Sequence, residues 1–182
     1  MSTKNLIYIA GPTGVGKTQL SLKIAKLFDT EIISCDSRQF YKEMNIGTAV
    51  PAPDELKEVK HHFIQHKSIH EVYTVGDFEK EAIKKLDLLF KKKDTVIMVG
   101  GSGMYADAVM FGMDKFPEVP DETRNQINVF YKTHGLKGLQ ELLLEKDPKY
   151  YTRVDINNLV RLIRALEVCI ASDKPFSSFL GM

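Results

Sequence analysis

Short apolar runs alternate with helical patterns over the first two thirds of the chain. Strand-forming residues occupy 6–10, 31–34 and 95–99, and each run stops at polar residues or glycine. Apolar positions recur at helical spacing from Leu20 to Phe28, and Asp77 can cap a second helical pattern that ends before three lysines at 91–93. Strands that alternate with helices favour a parallel sheet with helices on both faces.

The pattern changes at about residue 116. Pro117 and Pro120 interrupt the chain, and no strand pattern follows them. Three helical patterns take its place, at 121–134, 136–145 and 157–171. We therefore expect an α/β core at 1–115 and a helical insertion at 116–182.

Composition is that of an ordinary globular domain. The 182 residues are 43% hydrophobic and 27% charged, and 25 Lys and Arg stand against 24 Asp and Glu, so any contact with a nucleic-acid backbone must be local. No apolar run approaches the roughly 20 residues that span a bilayer, and the run after Met1–Asn5 is too short for a signal peptide. Cys35 and Cys169 form no CxxC pattern and fit a reducing compartment. We expect a cytoplasmic protein without membrane contact.

The turn after the first strand matches the motif GxxxxGK[ST] in full. The motif consists of Gly11, Pro12, Thr13, Gly14, Val15, Gly16, Lys17 and Thr18. Its glycines let backbone N–H groups turn toward a polyanion, Lys17 adds a positive charge, and the Thr18 hydroxyl can join a Mg²⁺ shell. The motif predicts a diphosphate or triphosphate ligand without specifying which. With the predicted strands it indicates an α/β fold, a P-loop NTPase-like parallel sheet with a helical insertion.

The second strand leads directly to a group of polar residues. The strand at 95–99 ends in Gly-Gly-Ser-Gly without a carboxylate, whereas 31–34 is followed by Asp36, Arg38 and Gln39. Ligands of doubly wound sheets bind at the carboxyl ends of the strands. In a nucleotide kinase, Asp36 could bind metal or act as a base, Arg38 could hold phosphate, and Gln39 could read a base edge. A simple turn or helix cap at Asp36 is the alternative.

Six segments of the chain follow the order of motifs of a known family. They are the phosphate motif at 11–18, then Glu31–Tyr41, Met44–Pro51, His61–Ile64, Val99–Tyr105 and Arg161–Val168. Together they closely resemble the tRNA dimethylallyltransferase family, also called tRNA isopentenyltransferases. The resemblance implies that the loop binds the diphosphate of dimethylallyl diphosphate rather than ATP. It also implies transfer of the dimethylallyl group to N6 of the adenosine next to the anticodon, which is flipped out of the tRNA anticodon stem-loop.

The resemblance further implies roles for individual residues. Asp36 would orient N6 and take its proton, while Lys17, Thr13 and a Mg²⁺ bound by Thr18 would stabilise the departing diphosphate. Ser102 stands where the family usually has Thr, and we place it among the catalytic residues. The positions that match tRNA contacts are Asp36, Ser37, Arg38, Gln39, Ser102, Arg124, Val160, Arg161, Leu162, Ile163 and Arg164. Arg161 and Arg164 are three apart on one helix face, so both can aim at the same phosphates of the substrate.

Other interpretations of the same residues stay open. An ATP-dependent kinase would use the same loop, and an adenylate isopentenyltransferase would prenylate free AMP. Members of the family run well beyond residue 182, so a non-catalytic nucleotide- or RNA-binding remnant is a third possibility. We expect the chain to act as a monomer. His61 and His62 are adjacent, and neighbouring side chains on a strand point to opposite faces, so we assign them structural roles.

Overall fold

A four-stranded parallel sheet organises the chain before Asp114. Its strands are β1 (Asn5–Ala10), β2 (Ile32–Ser34), β3 (His61–His62) and β4 (Thr95–Gly100), in the spatial order β1-β4-β2-β3. Ile97 at the centre of β4 pairs with Ile7 on one side and Ile32 on the other. The computed structural model describes residues 3–181, so the expectations that concern Met1, Ser2 and Met182 lie outside the described residues.

Helices cover both faces of this sheet, as the alternating pattern predicted. They are α1 (Lys17–Leu27), α2 (Pro53–Glu58), α3 (Val75–Phe90) and α4 (Gly103–Phe111). On one face, Leu22 of α1 packs with Ile32 and Ile97. On the other, Phe78 of α3 packs with Met98 and with Ala106 of α4. The predicted α/β class is confirmed.

The start of α3 differs from the prediction. Thr74, rather than Asp77, caps this helix: its Oγ1 accepts a hydrogen bond from the Asp77 backbone N–H at 3.2 Å. The Asp77 carboxylate in turn accepts a hydrogen bond from the Thr74 backbone N–H at 3.0 Å. This reciprocal capping box satisfies two helix-end donors and moves the helix start three residues earlier.

A buried phenylalanine anchors the segment that follows β2. Phe40 closes a four-residue 3₁₀ helix (Ser37–Phe40) and is fully buried. Four rings surround it at centroid distances of 5.1–5.5 Å, those of His66, Tyr73, Phe78 and Tyr105. Aromatic contacts of this kind fix ring orientation as well as burying area. The polar residues before Phe40 are therefore held in place from both ends, by β2 and by this cluster.

The chain divides into a second unit between Met113 and Asp114. It contains α5 (Asp121–Lys146), α6 (Pro148–Tyr151) and α7 (Leu159–Ser172). Gly135, with φ 64° and ψ −167°, interrupts α5 and separates the two helical patterns that the sequence predicted there. Leu139 and Leu143 of α5 are fully buried with the apolar face of α7. No helix within residues 3–181 is both long and apolar enough to cross a membrane.

Close backbone packing at the end of β4 generates a first prediction. A Cβ added to Gly100 would lie 2.6 Å from Cys35 Sγ and 2.7 Å from the backbone nitrogen of Asp36. We expect Gly100→Ala to lower the free energy of unfolding by about 1–3 kcal/mol, because a backbone segment must move to admit the methyl group. Urea denaturation followed by circular dichroism measures the change.

Gly76→Ala is the matched control, since a Cβ there meets only Thr74 Oγ1, at 3.8 Å. In α3 this change is expected to leave stability unchanged or to raise it by up to about 1 kcal/mol. Equal unfolding free energies for Gly100→Ala and the unmodified chain would show that β2 and β4 do not pack as described.

Candidate phosphate-binding site

The loop between β1 and α1 has a backbone that only glycine adopts readily. Gly14 and Gly16 have φ values of 85° and 89°, which strain any residue with a Cβ. Gly16 is also the N-cap of α1, so the positive end of the helix dipole lies at the loop. The predicted phosphate motif therefore forms a strand, loop and helix in the order that anion binding requires.

Lys17 lies over this loop. Its Nζ donates hydrogen bonds to the backbone carbonyls of Gly11 and Pro12, each at 2.7 Å. Lys17 lines a cavity of about 250 Å³ together with Thr13 and Thr18. The loop thus presents a cation and two hydroxyl groups to one cavity.

Asp36 reaches the same cavity from the end of β2. The Cys35 backbone N–H donates to the Val99 carbonyl at 2.8 Å, which keeps this end of β2 beside β4. The Asp36 side chain caps the 3₁₀ helix, because its Oδ1 accepts a hydrogen bond from the Arg38 N–H at 3.1 Å. Asp36 is therefore both a helix cap and a cavity-lining carboxylate. The cap that the sequence analysis gave as the alternative for Asp36 is therefore compatible with a place in the site.

Ser102 connects two loops at the edge of the cavity. Its Oγ accepts a hydrogen bond from the Ser37 backbone N–H at 3.1 Å and lies 3.1 Å from the Ser37 hydroxyl oxygen. Ser102 is not among the residues that line the cavity. Its observed contact links the loop after β4 to the 3₁₀ helix, and its predicted catalytic role stays a prediction.

The side-chain amide of Gln39 is engaged within the protein. Its Oε1 accepts a hydrogen bond from the Ser34 hydroxyl at 2.9 Å, and its Nε2 donates to the Ala49 carbonyl at 2.7 Å and the Thr48 carbonyl at 3.3 Å. These bonds hold the segment before α2 against the cavity, where Ala49 and Pro51 contribute to the lining. Both residues belong to the segment Met44–Pro51 that carries the family resemblance, but the sequence analysis assigned them no role, and a base-reading role for Gln39 stays a prediction.

His61 is a cavity residue that the sequence interpretation missed. Its Nδ1 lies 2.8 Å from the Val59 carbonyl oxygen, and since a carbonyl only accepts, we assign the ring proton to Nδ1. Nε2 is buried and has no hydrogen-bond partner among the described residues. Burial lowers the pKa of His61, against the opposing effect of the Val59 carbonyl. The imidazole is thus a neutral acceptor in the wall of the phosphate-binding cavity.

Cys35 precedes Asp36, but its thiol is buried and protonated. It is fully buried, and burial raises the pKa of its thiol to about 12, with the Asp36 carboxylate adding to the shift. Burial likewise raises the pKa of the neighbouring Tyr8 hydroxyl to about 12. Nucleophilic chemistry needs the thiolate, so this cysteine supports the packing of β2 rather than a reaction.

Of the four arginines predicted to contact tRNA, Arg38 is exposed on the 3₁₀ helix of the first unit, and the other three lie in the second unit. Arg124 of α5 and Arg164 of α7 both pair with Glu167, whereas Arg161 is exposed. Val160 is also exposed, but Leu162 is fully buried in the core of this unit and Ile163 is half-buried. Arg161 and Arg164 therefore differ in their surroundings although they share a helix.

Comparisons with known proteins assign the chain to a family. The family model for IPP transferase matches residues 39–182. The tRNA dimethylallyltransferase of Flavobacterium johnsoniae is 52% identical over 98% of this chain, and that of Christiangramia forsetii is 57% identical over 97%. The chain spans 60% and 58% of the lengths of these two relatives.

Two solved structures are also similar to this chain. The full-length tRNA isopentenylpyrophosphate transferase of Bacillus halodurans is 34% identical, with a TM-score of 0.58 over 95% of this chain and 57% of that one. A eukaryotic dimethylallyltransferase acting on tRNA is 28% identical, with a TM-score of 0.77 over 97% of this chain and 44% of that one.

The neutral histidine in the cavity wall leads to a second prediction. A diphosphate in the same cavity would favour the charged imidazolium, so His61 should contribute proton uptake on binding as pH falls from 8 toward about 6. We expect His61→Asn, whose amide N–H can replace Nδ1–H toward Val59, to remove part of this uptake. Titration calorimetry with inorganic diphosphate in buffers of different ionisation enthalpy counts the protons.

His62→Asn is the control, because that imidazole lies 2.6 Å from the Glu31 carboxylate and does not line the cavity. Its proton uptake should match that of the unmodified chain. Identical uptake in all three proteins would refute the placement of His61.

Proposed function

Because this chain belongs to the IPP transferase family, we propose that it carries the donor-binding core of a tRNA dimethylallyltransferase. The reaction transfers the dimethylallyl group of dimethylallyl diphosphate to N6 of the adenosine next to the anticodon. The observation that carries the proposal is the shared cavity of Lys17, Thr18 and Asp36, which places a phosphate-binding loop beside a carboxylate. Several similar proteins are named for this reaction.

The phosphate loop supplies the electrostatic part of the mechanism. As the bond between the allylic carbon and the bridging oxygen breaks, its electron pair moves to the diphosphate. The N–H groups at the start of α1 and the Thr13 hydroxyl are fixed donors for that developing charge, and the Lys17 ammonium adds a positive charge beside them. Preorganised donors lower the barrier because they need no reorientation during the reaction.

Asp36 supplies the proton-transfer part of the mechanism. The N6 amine of adenosine is a weak nucleophile, and forming the new C–N bond makes its proton acidic. The Asp36 carboxylate accepts that proton as a general base. Its Oδ1 is oriented by the Arg38 N–H, so the carboxylate is held in one position before the substrate arrives.

The donor set also fits Mg²⁺. No group of three or more His, Cys, Asp and Glu side chains able to hold a metal occurs in residues 3–181, but Thr18 and Asp36 contribute oxygen atoms to the cavity. Protein-bound Mg²⁺ commonly keeps several waters and is held by one or two side chains with substrate phosphates. We propose that Thr18 binds Mg²⁺ jointly with the diphosphate, which neutralises charge on the leaving group.

The two units of the chain divide the binding of the substrates in this proposal. Residues 1–115 bind dimethylallyl diphosphate and the target adenosine, and residues 116–182 bind the anticodon stem-loop through Arg124, Arg161 and Arg164. The reaction takes place in the cytoplasm, where both thiols of this chain can stay reduced. No nucleotide triphosphate is consumed.

The reaction is tested with unmodified tRNA that carries adenosine next to the anticodon. The chain is incubated with this tRNA, dimethylallyl diphosphate and Mg²⁺, and the nucleosides are analysed by mass spectrometry for N6-dimethylallyladenosine. A parallel sample joins the chain to the C-terminal portion of the Flavobacterium johnsoniae relative. Both samples are also incubated with ATP, and phosphoryl transfer from ATP without a prenyl adduct in either sample would identify a kinase instead.

Asp36→Asn gives a third prediction. The amide keeps an oxygen that can accept the Arg38 N–H, so the fold and tRNA binding should persist, but it cannot accept the N6 proton. We expect the single-turnover rate of prenyl transfer to fall by about 10²–10⁴-fold in whichever of the two samples is active. Asp87→Asn, an equivalent change on the exposed side of α3, should leave the rate unaltered. Full activity of Asp36→Asn would remove Asp36 from the mechanism.

A further inference from the structure

A buried carboxylate in the second unit is paired with two arginines. Glu167 of α7 is only 4% exposed. Its Oε1 lies 3.1 Å from Nε of Arg124 on α5, and its Oε2 lies 3.5 Å from Nη1 of Arg164 on α7. The two arginine side chains stay 52% and 43% exposed. The negative charge is thus inside the unit, and both of its positive partners reach the surface.

Arg164 has a second fixed contact. Its guanidinium carbon lies 5.7 Å from the ring centroid of Phe116, close enough for a cation–π interaction. Phe116 itself stacks on Phe176 at a centroid distance of 4.8 Å. The guanidinium group of Arg164 therefore contacts both a carboxylate and an aromatic ring, and that ring is stacked on a second one.

Stability alone is a weak reason for a charge at this position. Glu167 lies between the buried residues Leu166 and Val168, and a buried ion pair commonly contributes no more to stability than apolar side chains of similar volume. What the carboxylate provides is placement, because its two oxygens bring guanidinium groups from two helices side by side. Each of the two guanidinium groups uses one of its five N–H donors in a hydrogen bond to Glu167. The remaining guanidinium donors of Arg124 and Arg164 have no hydrogen-bond acceptor among the described residues.

The charge balance of this unit makes that placement matter. Residues 114–182 contain ten Lys and Arg and ten Asp and Glu, so there is no excess positive charge to attract a polyanion. Binding then depends on how individual cations are arranged. Two adjacent guanidinium groups with outward N–H donors suit the oxygens of a phosphodiester.

We propose that Glu167 is a positioning residue that holds Arg124 and Arg164 together as one fork for a backbone phosphate of RNA. This inference rests on the proposed function, since RNA is the ligand which that function supplies. Glu167 does not touch the RNA itself. It fixes the separation and direction of the two groups that do.

Glu167→Gln tests the proposal through tRNA affinity. The amide keeps the size of the side chain and one acceptor oxygen but loses the charge that binds both guanidinium groups. We expect the Kd for unmodified tRNA, measured by fluorescence anisotropy, to rise by about tenfold, with a shallower dependence on salt by about one unit of slope. The direction is diagnostic, because removing a negative charge without disturbing positioning would tighten binding to a polyanion.

Glu141→Gln is the matched control. It removes the same charge from an exposed position of α5, where Glu141 only faces Lys137 at 3.9 Å, and it should leave the Kd unchanged or slightly lower. Arg124→Lys serves as a second variant if Glu167→Gln does not fold. It keeps the charge but lacks the planar fork, so its Kd should also rise.

Three results would overturn the inference. They are a folded Glu167→Gln protein that binds tRNA as tightly as Glu141→Gln, an Arg124→Lys protein with the affinity of the unmodified chain, and an unmodified chain that does not bind tRNA. A loss of thermal stability in Glu167→Gln with unchanged Kd belongs to the first of these and would assign the residue a purely structural role. Binding with the expected variant effects but without prenyl transfer would count against the proposed reaction and leave the fork in place.

Discussion

The parallel pairing of β4 with both β1 and β2 is the constraint on which the candidate site depends. It brings three chain segments that leave the carboxyl ends of these strands to one edge of the sheet: the phosphate loop, the 36–39 segment and the loop that contains Ser102. The close approach at Gly100, where the backbone of Cys35 and Asp36 leaves no room for a methyl group, sets the distance between two of them. Without that approach, Ser102 could not reach the Ser37 N–H, and Asp36 would not share a cavity with Lys17. The arrangement of the site at the carboxyl ends of the strands therefore depends on close packing between the two central strands, β2 and β4.

Much of this arrangement was predictable because its signals are local. Continuous apolar runs identified β1, β2 and β4, and the glycine and lysine spacing of the phosphate motif identified its loop. The elements that escaped prediction lack such signals. The β3 strand has only two residues, too few for any periodicity, and its place is set by pairing with β2. The helix α4 follows a glycine-rich stretch that reads as a loop, and tertiary packing on α3 stabilises it instead. The sequence analysis considered His61 on a strand, but it could not tell that pairing of β3 with β2 turns this side chain into the cavity.

Several polar side chains in and beside the cavity already form hydrogen bonds within the protein. Gln39 uses both ends of its amide, Ser102 holds the 3₁₀ helix, and one oxygen of Asp36 caps that helix. Side chains bonded in this way have fewer hydrogen bonds to offer a ligand, but their positions are fixed. Fixed dipoles stabilise a developing charge without reorganisation. Neutral His61 stands apart, because its buried Nε2 has no partner among the described residues. An unsatisfied buried acceptor carries a desolvation cost, which a bound ligand that hydrogen-bonds to Nε2 would relieve.

The two kinds of cation in the chain are held in ways that suit different tasks. Lys17 donates to two uncharged carbonyls of its own loop, and a phosphate with a full negative charge competes well with such acceptors for a compact, mobile ammonium. Arg124 and Arg164 are instead bound to the full charge of Glu167. A guanidinium can keep that bond and still offer its remaining N–H groups to a second anion, because its five donors point in fixed, different directions. A lysine in this setting would offer only three donors, all on one nitrogen, so a carboxylate and a phosphate would have to meet at the same atom. In the proposed reaction, Lys17 can therefore shift toward the leaving group as its charge grows, whereas Glu167 holds Arg124 and Arg164 before a ligand binds.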